Sequence, residues 1–130
     1  MKLSQSIYFL AFFLITITSI AQNTQNFDCK ILKGIKLKYV DNEDKTAYFI
    51  IKDKKHVEYL ENGKYFIKSD LEWINDCEYN AKMTEITLPN FPFKVGEILN
   101  VKFDKIENQF IFGTATVRKN SFPIKFEIIK

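Results

Sequence analysis

Three carboxylates, Glu72, Asp76 and Glu78, crowd one short stretch, DLEWINDCEY (70–79), together with the only Trp of the chain, Trp73, and one of its two Cys, Cys77. Two carboxylates facing each other across a cleft can hydrolyse a glycosidic bond, one protonating the leaving oxygen while the other activates water or attacks directly. The residues around them alternate, however. Leu71, Trp73, Cys77 and Tyr79 share one parity, while Glu72 and Glu78 share the other and Asp76 falls in the turn between. That spacing predicts a hairpin with an acidic outer face, and Trp73 and Tyr79 as neighbours across it. A carboxylate-based hydrolase built on these three residues is the weakest of the functional readings.

Other catalytic chemistry finds fewer parts. A nucleophilic hydrolase needs a base within hydrogen-bond reach of its nucleophile. The single His, His56, stands in a short segment beside Lys54 and Lys55, and beyond residue 21 the only serines are Ser69 and Ser121, with no G-x-S-x-G. No H-E-x-x-H run or Cys/His cluster offers a zinc site. The four Gly are dispersed, so no phosphate-cradling loop exists. DNED (41–44) lacks the spacing and the Gly of a calcium loop and reads as a polar turn. The residues predict a protein that is not an enzyme and carries neither metal nor cofactor.

The two Cys, Cys29 and Cys77, point to an oxidising compartment. Lys2, the apolar run IYFLAFFLITI (7–17) and the small residues of SIA (19–21) have the order of a secretory signal cleaved before Gln22. The apolar run is too short, and too promptly followed by the polar QNTQN, for a membrane anchor. Residues 1–21 are therefore assigned to a signal peptide and 22–130 to one domain, exported to the periplasm or the medium, with no transmembrane segment in the mature chain. In such a protein a single Cys pair predicts the disulfide Cys29–Cys77. The whole chain has 19 basic and 16 acidic side chains, scattered without a block, which gives no footing for a nucleic-acid partner.

The elements that must position these residues are strands. Period-2 alternation recurs over 34–40, 46–52, 56–60, 64–73, 77–88, 97–106, 109–118 and 122–129, and no segment shows a helical repeat. Ile35, Leu37 and Tyr39 share a face of the first; Tyr65, Ile67, Leu71 and Trp73 share a face of the fourth. ENG (61–63) marks a tight turn because Asn and Gly tolerate positive φ. The stretch 89–96, with two Pro and a Gly, must be a loop. Short connections make neighbouring strands antiparallel. The expected fold is all-β: an eight-stranded antiparallel up-and-down, lipocalin-like barrel, with a two-sheet sandwich as the alternative.

The aromatic residues have two readings. Tyr65, Trp73, Tyr79, Phe103, Phe110, Phe112 and Phe126 are expected to face inward and fill the core. Alternatively Tyr65, Trp73, Tyr79, Phe103 and Phe112 line a cavity for a small hydrophobic ligand. Phe91 and Phe93, in the Pro-bounded loop 88–96, cap the barrel end or present a contact site to a protein partner, as an inhibitor module would.

The run IKSDLEWINDCEY, with Cys29 upstream and the KLKYV strand following it, resembles small exported lipocalin-like proteins of Gram-negative bacteria. In those a Cys opens the domain, and a strand ending in Trp is followed by an Asp-Cys-x-Tyr step. The G-x-W strand of true lipocalins is missing, because Gly34 is followed by Ile35 and Lys36. The resemblance implies a calycin-type barrel and export, and no catalytic residues.

Overall fold

The computed structural model describes residues 28–130. The signal-peptide reading lies outside them. Eight strands follow one another in chain order: β1 (Gly34–Tyr39), β2 (Tyr48–Lys52), β3 (Lys55–Leu60), β4 (Tyr65–Asn75), β5 (Glu78–Ile86), β6 (Ile98–Glu107), β7 (Phe110–Val117) and β8 (Asn120–Ile129). Each pairs antiparallel with the next, and β8 returns to β1, closing the barrel. Closure leaves no free sheet edge along the paired strands. The expected up-and-down barrel is thus the observed one, and the sandwich is not.

One end of the barrel is plugged. A 3₁₀ turn, Cys29–Lys33, capped by the Asp28 side chain, lays Leu32 across it with no exposed surface. The disulfide Cys29–Cys77 ties this turn to the β4–β5 hairpin, with a Cα–Cα separation of 5.0 Å. The Trp73 indole N–H donates to the Asp53 carbonyl (2.8 Å) in the β2–β3 turn, and the Asp53 N–H donates to the Lys33 carbonyl (2.8 Å). Three connections are thereby joined at one place. Across the hairpin Trp73 opposes Tyr79 in register, their rings edge-on with centroids 5.1 Å apart. Inside this end Leu37, Ile51, Leu71, Phe103 and Ile111 form the packed core.

Two departures from regular pairing shape the barrel wall. β8 pairs with β7 along Asn120–Glu127, but with β1 only over Phe126–Ile129. Pro123 sits in the stretch without a β1 partner, where its missing N–H breaks no ladder bond. A groove therefore lies beside β1 and its following loop, bordered by Asp41, Asn42, Glu43, Phe122 and Lys125. A bulge between Phe103 and Lys105 on β6 brings backbone over Gly113 of β7, so that a Cβ there would collide with the Lys102 carbonyl oxygen.

β7 corrects one expectation. Phe110 and Phe112 do not face inward. Ile111, Gly113, Ala115 and Val117 are the buried set, and the two rings lie outside, with the Lys125 ammonium 4.6 Å from the Phe110 centroid and the Lys105 ammonium 4.7 Å from that of Phe112. Both faces of this strand are apolar in sequence, so alternation alone gives no direction. At Gly113, on the buried face, the β6 backbone comes too close for any side chain.

Candidate functional site

Above the packed core the barrel is hollow. A cavity of about 300 Å³ runs from mid-barrel to the rim opposite the 3₁₀ turn. That is the lower end of the range for small-molecule sites, about 300–1,000 Å³. Its wall is largely aromatic. Tyr39, Phe49 and Phe126 touch one another, with centroids 5.4 Å (Tyr39–Phe49), 5.2 Å (Tyr39–Phe126) and 4.8 Å (Phe49–Phe126) apart. Phe91 and Phe93 close the rim, edge-on to each other at 5.5 Å and packed on Ala47, Leu60, Ile67 and Met83.

The loop carrying these two Phe is held by charge. The Arg118 guanidinium grips the Glu97 carboxylate through Nε and Nη2 (Nη2–Oε2 2.8 Å) and donates to the Pro92 carbonyl (3.2 Å). Its Cζ lies 5.2 Å from the Phe93 ring centroid. The Arg118 contact and a hydrogen bond from the Lys94 N–H hold the Glu97 carboxyl below its usual pKa. Phe91 and Phe93 thus turn toward the cavity, half-buried, rather than projecting outward.

Six polar side chains break the apolar wall: Tyr39, Asn42, His56, Glu58, Ser69 and Tyr79. The hairpin arithmetic of β2 and β3 puts two of them there. Asp53 and Lys54 make a two-residue turn, so Ile51 opposes His56 and Phe49 opposes Glu58, and residues directly opposite point the same way. With Phe49 and Ile51 in the core, His56 and Glu58 must face inward, while Tyr48 and Tyr59 stack outside at 5.2 Å.

Burial governs the chemistry of these groups. Glu58 is half-buried and lines the cavity, and desolvation raises its pKa from 4.5 to about 7, against a smaller opposing effect of a hydrogen bond from the Tyr39 hydroxyl. Desolvation lowers the His56 pKa from 6.5 to about 4, so the imidazole is neutral at pH 7. His56 Nδ1 is buried and finds no hydrogen-bond partner in the protein. The Tyr39 and Tyr79 hydroxyls are pushed up, first by burial and then by the nearby Glu58 charge. Among the described residues no Lys or Arg lines the cavity.

Of the residues expected to line a ligand site, only Tyr79 does so; the structure places Phe91 and Phe93, expected as partner contacts, at its mouth. Trp73 and Phe103 belong to the packed core below, Tyr65 packs at the rim of the smaller cluster formed by Ala47, Leu60, Ile67 and Met83, and Phe112 is on the outer face. The three clustered carboxylates stand apart from the cavity. Asp76 binds the Lys33 ammonium (3.1 Å), Glu78 accepts from the Asn100 amide (3.1 Å), and Glu72 is exposed. His56 and Glu58 are the site residues that sequence reasoning missed. The signal was present in the two-residue turn between β2 and β3, which fixes their parity once Phe49 is taken as core.

Among the described residues no group of three or more His, Cys, Asp or Glu is placed to hold a metal ion. No protein-family model, curated protein or solved structure matches this chain.

Proposed function

We propose that this protein is an exported lipocalin-like binder that holds one small, mainly apolar molecule inside its barrel. The observation that carries the reading is the cavity of about 300 Å³ walled by Tyr39, Phe49, Tyr79 and Phe126 and closed at the rim by Phe91 and Phe93. A hollow barrel interior with a few convergent polar groups is the usual form of a small-molecule site. One feature supports export: a disulfide such as Cys29–Cys77 is typical of compartments where thiols are kept oxidised.

The reading also accounts for the loop 88–96. A partner-binding loop would present its aromatic residues to solvent, whereas Phe91 and Phe93 cover the cavity. The test is titration with the fluorescent apolar probe 1-aminoanthracene, followed by native mass spectrometry. Saturable binding at one probe per chain, abolished by a bulky Ala81→Trp substitution in the cavity wall, is the expected result. Binding that is unaltered in that variant would place the probe elsewhere and overturn the reading.

A further inference from the structure

The polar groups of the cavity select a charge. Among the described residues Glu58 is its only acid, His56 is buried and neutral with Nδ1 unpartnered, and no Lys or Arg lines the wall. A carboxylate ligand such as a fatty acid would meet Glu58 with nothing to balance it. A cation would meet a carboxylate, a hydroxyl and several aromatic rings, whose faces attract positive charge, more strongly when desolvated. The groove beside the mouth has the same bias. It shares Tyr39, Asn42, Phe122, Ile124 and Phe126 with the cavity and adds Asp41 and Glu43. Its one basic residue, Lys125, lies on the outer wall with its ammonium near the Phe110 and Phe112 rings.

We propose that the cavity binds a small primary amine as its ammonium ion, with the charged head against the Glu58 carboxylate and the Tyr39 hydroxyl and the apolar body among the Phe49, Phe126 and Tyr79 rings. This rests on the reading of the cavity as a ligand site and names the ligand class. Ionising Glu58 in an apolar wall is costly alone, and an ammonium ion in contact offsets that cost through charge-assisted hydrogen bonds. The aromatic body excludes water from the pair and so strengthens it.

The proposal carries a pH dependence. The titratable groups facing Glu58 are Tyr39 from β1, Tyr79 from β5 and His56 on its own strand; the flanking strands β2 and β4 present Phe49 and Ile67 directly opposite it. Neither Tyr ionises near neutrality, and His56 is neutral above about pH 4. Glu58 is therefore the group that titrates in the working range. With its pKa at about 7, the ionised fraction falls about thirtyfold between pH 8 and pH 5.5, and the affinity for an ammonium falls with it.

The experiment uses three probes of one shape, phenethylamine, 2-phenylethanol and 3-phenylpropionate, titrated calorimetrically into the purified protein at pH 8 and pH 5.5. At pH 8 phenethylamine is expected to bind at least tenfold more tightly than phenylethanol, with phenylpropionate weakest. At pH 5.5 the amine loses about thirtyfold and the alcohol is unchanged. Glu58→Gln, isosteric and uncharged, brings the three probes to within about threefold of one another. The pH arm on the unaltered protein stands on its own if that variant folds poorly. An alcohol that binds as tightly as the amine, or an amine affinity indifferent to pH, overturns the charge selection while leaving the cavity as a ligand site. Failure of all three probes and of 1-aminoanthracene overturns both.

Discussion

The His56 imidazole lies flat on the Phe49 ring, centroids 4.6 Å apart and planes within 7° of parallel. This stacking buries a titratable group whose charged form is penalised by desolvation. Its pKa falls from 6.5 to about 4, so the unfolded chain takes up a proton that the native protein refuses. Stability from this group is complete above about pH 6.5 and is lost as pH falls toward 4. Replacing His56 by Phe keeps a ring on Phe49 and removes the orphaned Nδ1. The advantage of His56→Phe over the unaltered protein should therefore grow by about 2–3 kcal/mol as pH falls from 6.5 to 4.5. Urea midpoints at several pH values measure it, and an advantage that stays constant would show the imidazole to be hydrated.

Glu58 predicts the opposite slope. Its native pKa, about 7, stands above the 4.5 of the unfolded chain, so the native protein holds a proton that the unfolded chain releases. Stability from this group is complete below about pH 4.5 and is lost as pH rises through 7. Glu58→Gln should gain on the unaltered protein by up to about 3 kcal/mol over that interval. In the unaltered protein the two slopes oppose each other between pH 4.5 and 6.5, and only the single variants separate them. Calorimetric melting of Glu58→Gln at pH 5 and pH 8 decides; equal gains at both would leave Glu58 without an elevated pKa.

The strands, their order and the clasp at Cys77 were legible because alternation is unambiguous where one face is charged. β4 and β5 show this: Lys68, Asp70, Glu72 and Lys82 mark the outside, and the Trp73–Tyr79 pair follows from it. The cavity was illegible for two physical reasons. On β3 the inward residues His56 and Glu58 are polar, and polarity in a strand ordinarily marks the solvent face. On β7 both faces are apolar, so alternation names no inward side, and the bulge on the neighbouring strand β6 beside Gly113 is encoded by no local pattern. Hollow and solid barrels also share one strand pattern, since the difference lies in summed side-chain volume across all eight strands.

The disulfide should matter beyond its two residues. Cys29 and Cys77 are 48 positions apart, a loop for which chain entropy gives about 4 kcal/mol, and the bond also anchors the turn that lays Leu32 over the barrel end. Cys29→Ser with Cys77→Ser is expected to lose about 2–4 kcal/mol in urea unfolding, and reductant should then leave the variant's midpoint unaltered. A loss below about 1 kcal/mol would mean that Leu32 and the Trp73–Asp53 hydrogen bond hold this end unaided.

Gly113 tests the bulge on β6. A methyl group there meets the Lys102 carbonyl oxygen and the Phe103 backbone, neither of which is the end of a flexible side chain. Gly113→Ala should destabilise by about 1–3 kcal/mol, the range for overpacked interiors, although Ala normally suits a strand better than Gly. Gly34, around which a Cβ meets no atom within 4 Å, is the control, and Gly34→Ala should be close to neutral. Equal effects at the two positions would refute the close approach at β6.

Phe91 and Phe93 should control how fast a ligand leaves. They close the mouth, and their loop is pinned by the Arg118–Glu97 pair and by backbone hydrogen bonds of Gly96 and Glu97 with Met83 of β5. Removing both rings opens a path for water and ligand but leaves the polar contacts in place. The double variant Phe91→Ala, Phe93→Ala should raise the dissociation rate of 1-aminoanthracene about tenfold in stopped-flow displacement, with a smaller change in association. Glu72→Ala, on the outer face far from the mouth, should change neither rate. An unchanged dissociation rate in the double variant would mean that ligands pass through the lateral groove between β1 and β8, and Asn42→Trp, at the junction of groove and cavity, should then slow them.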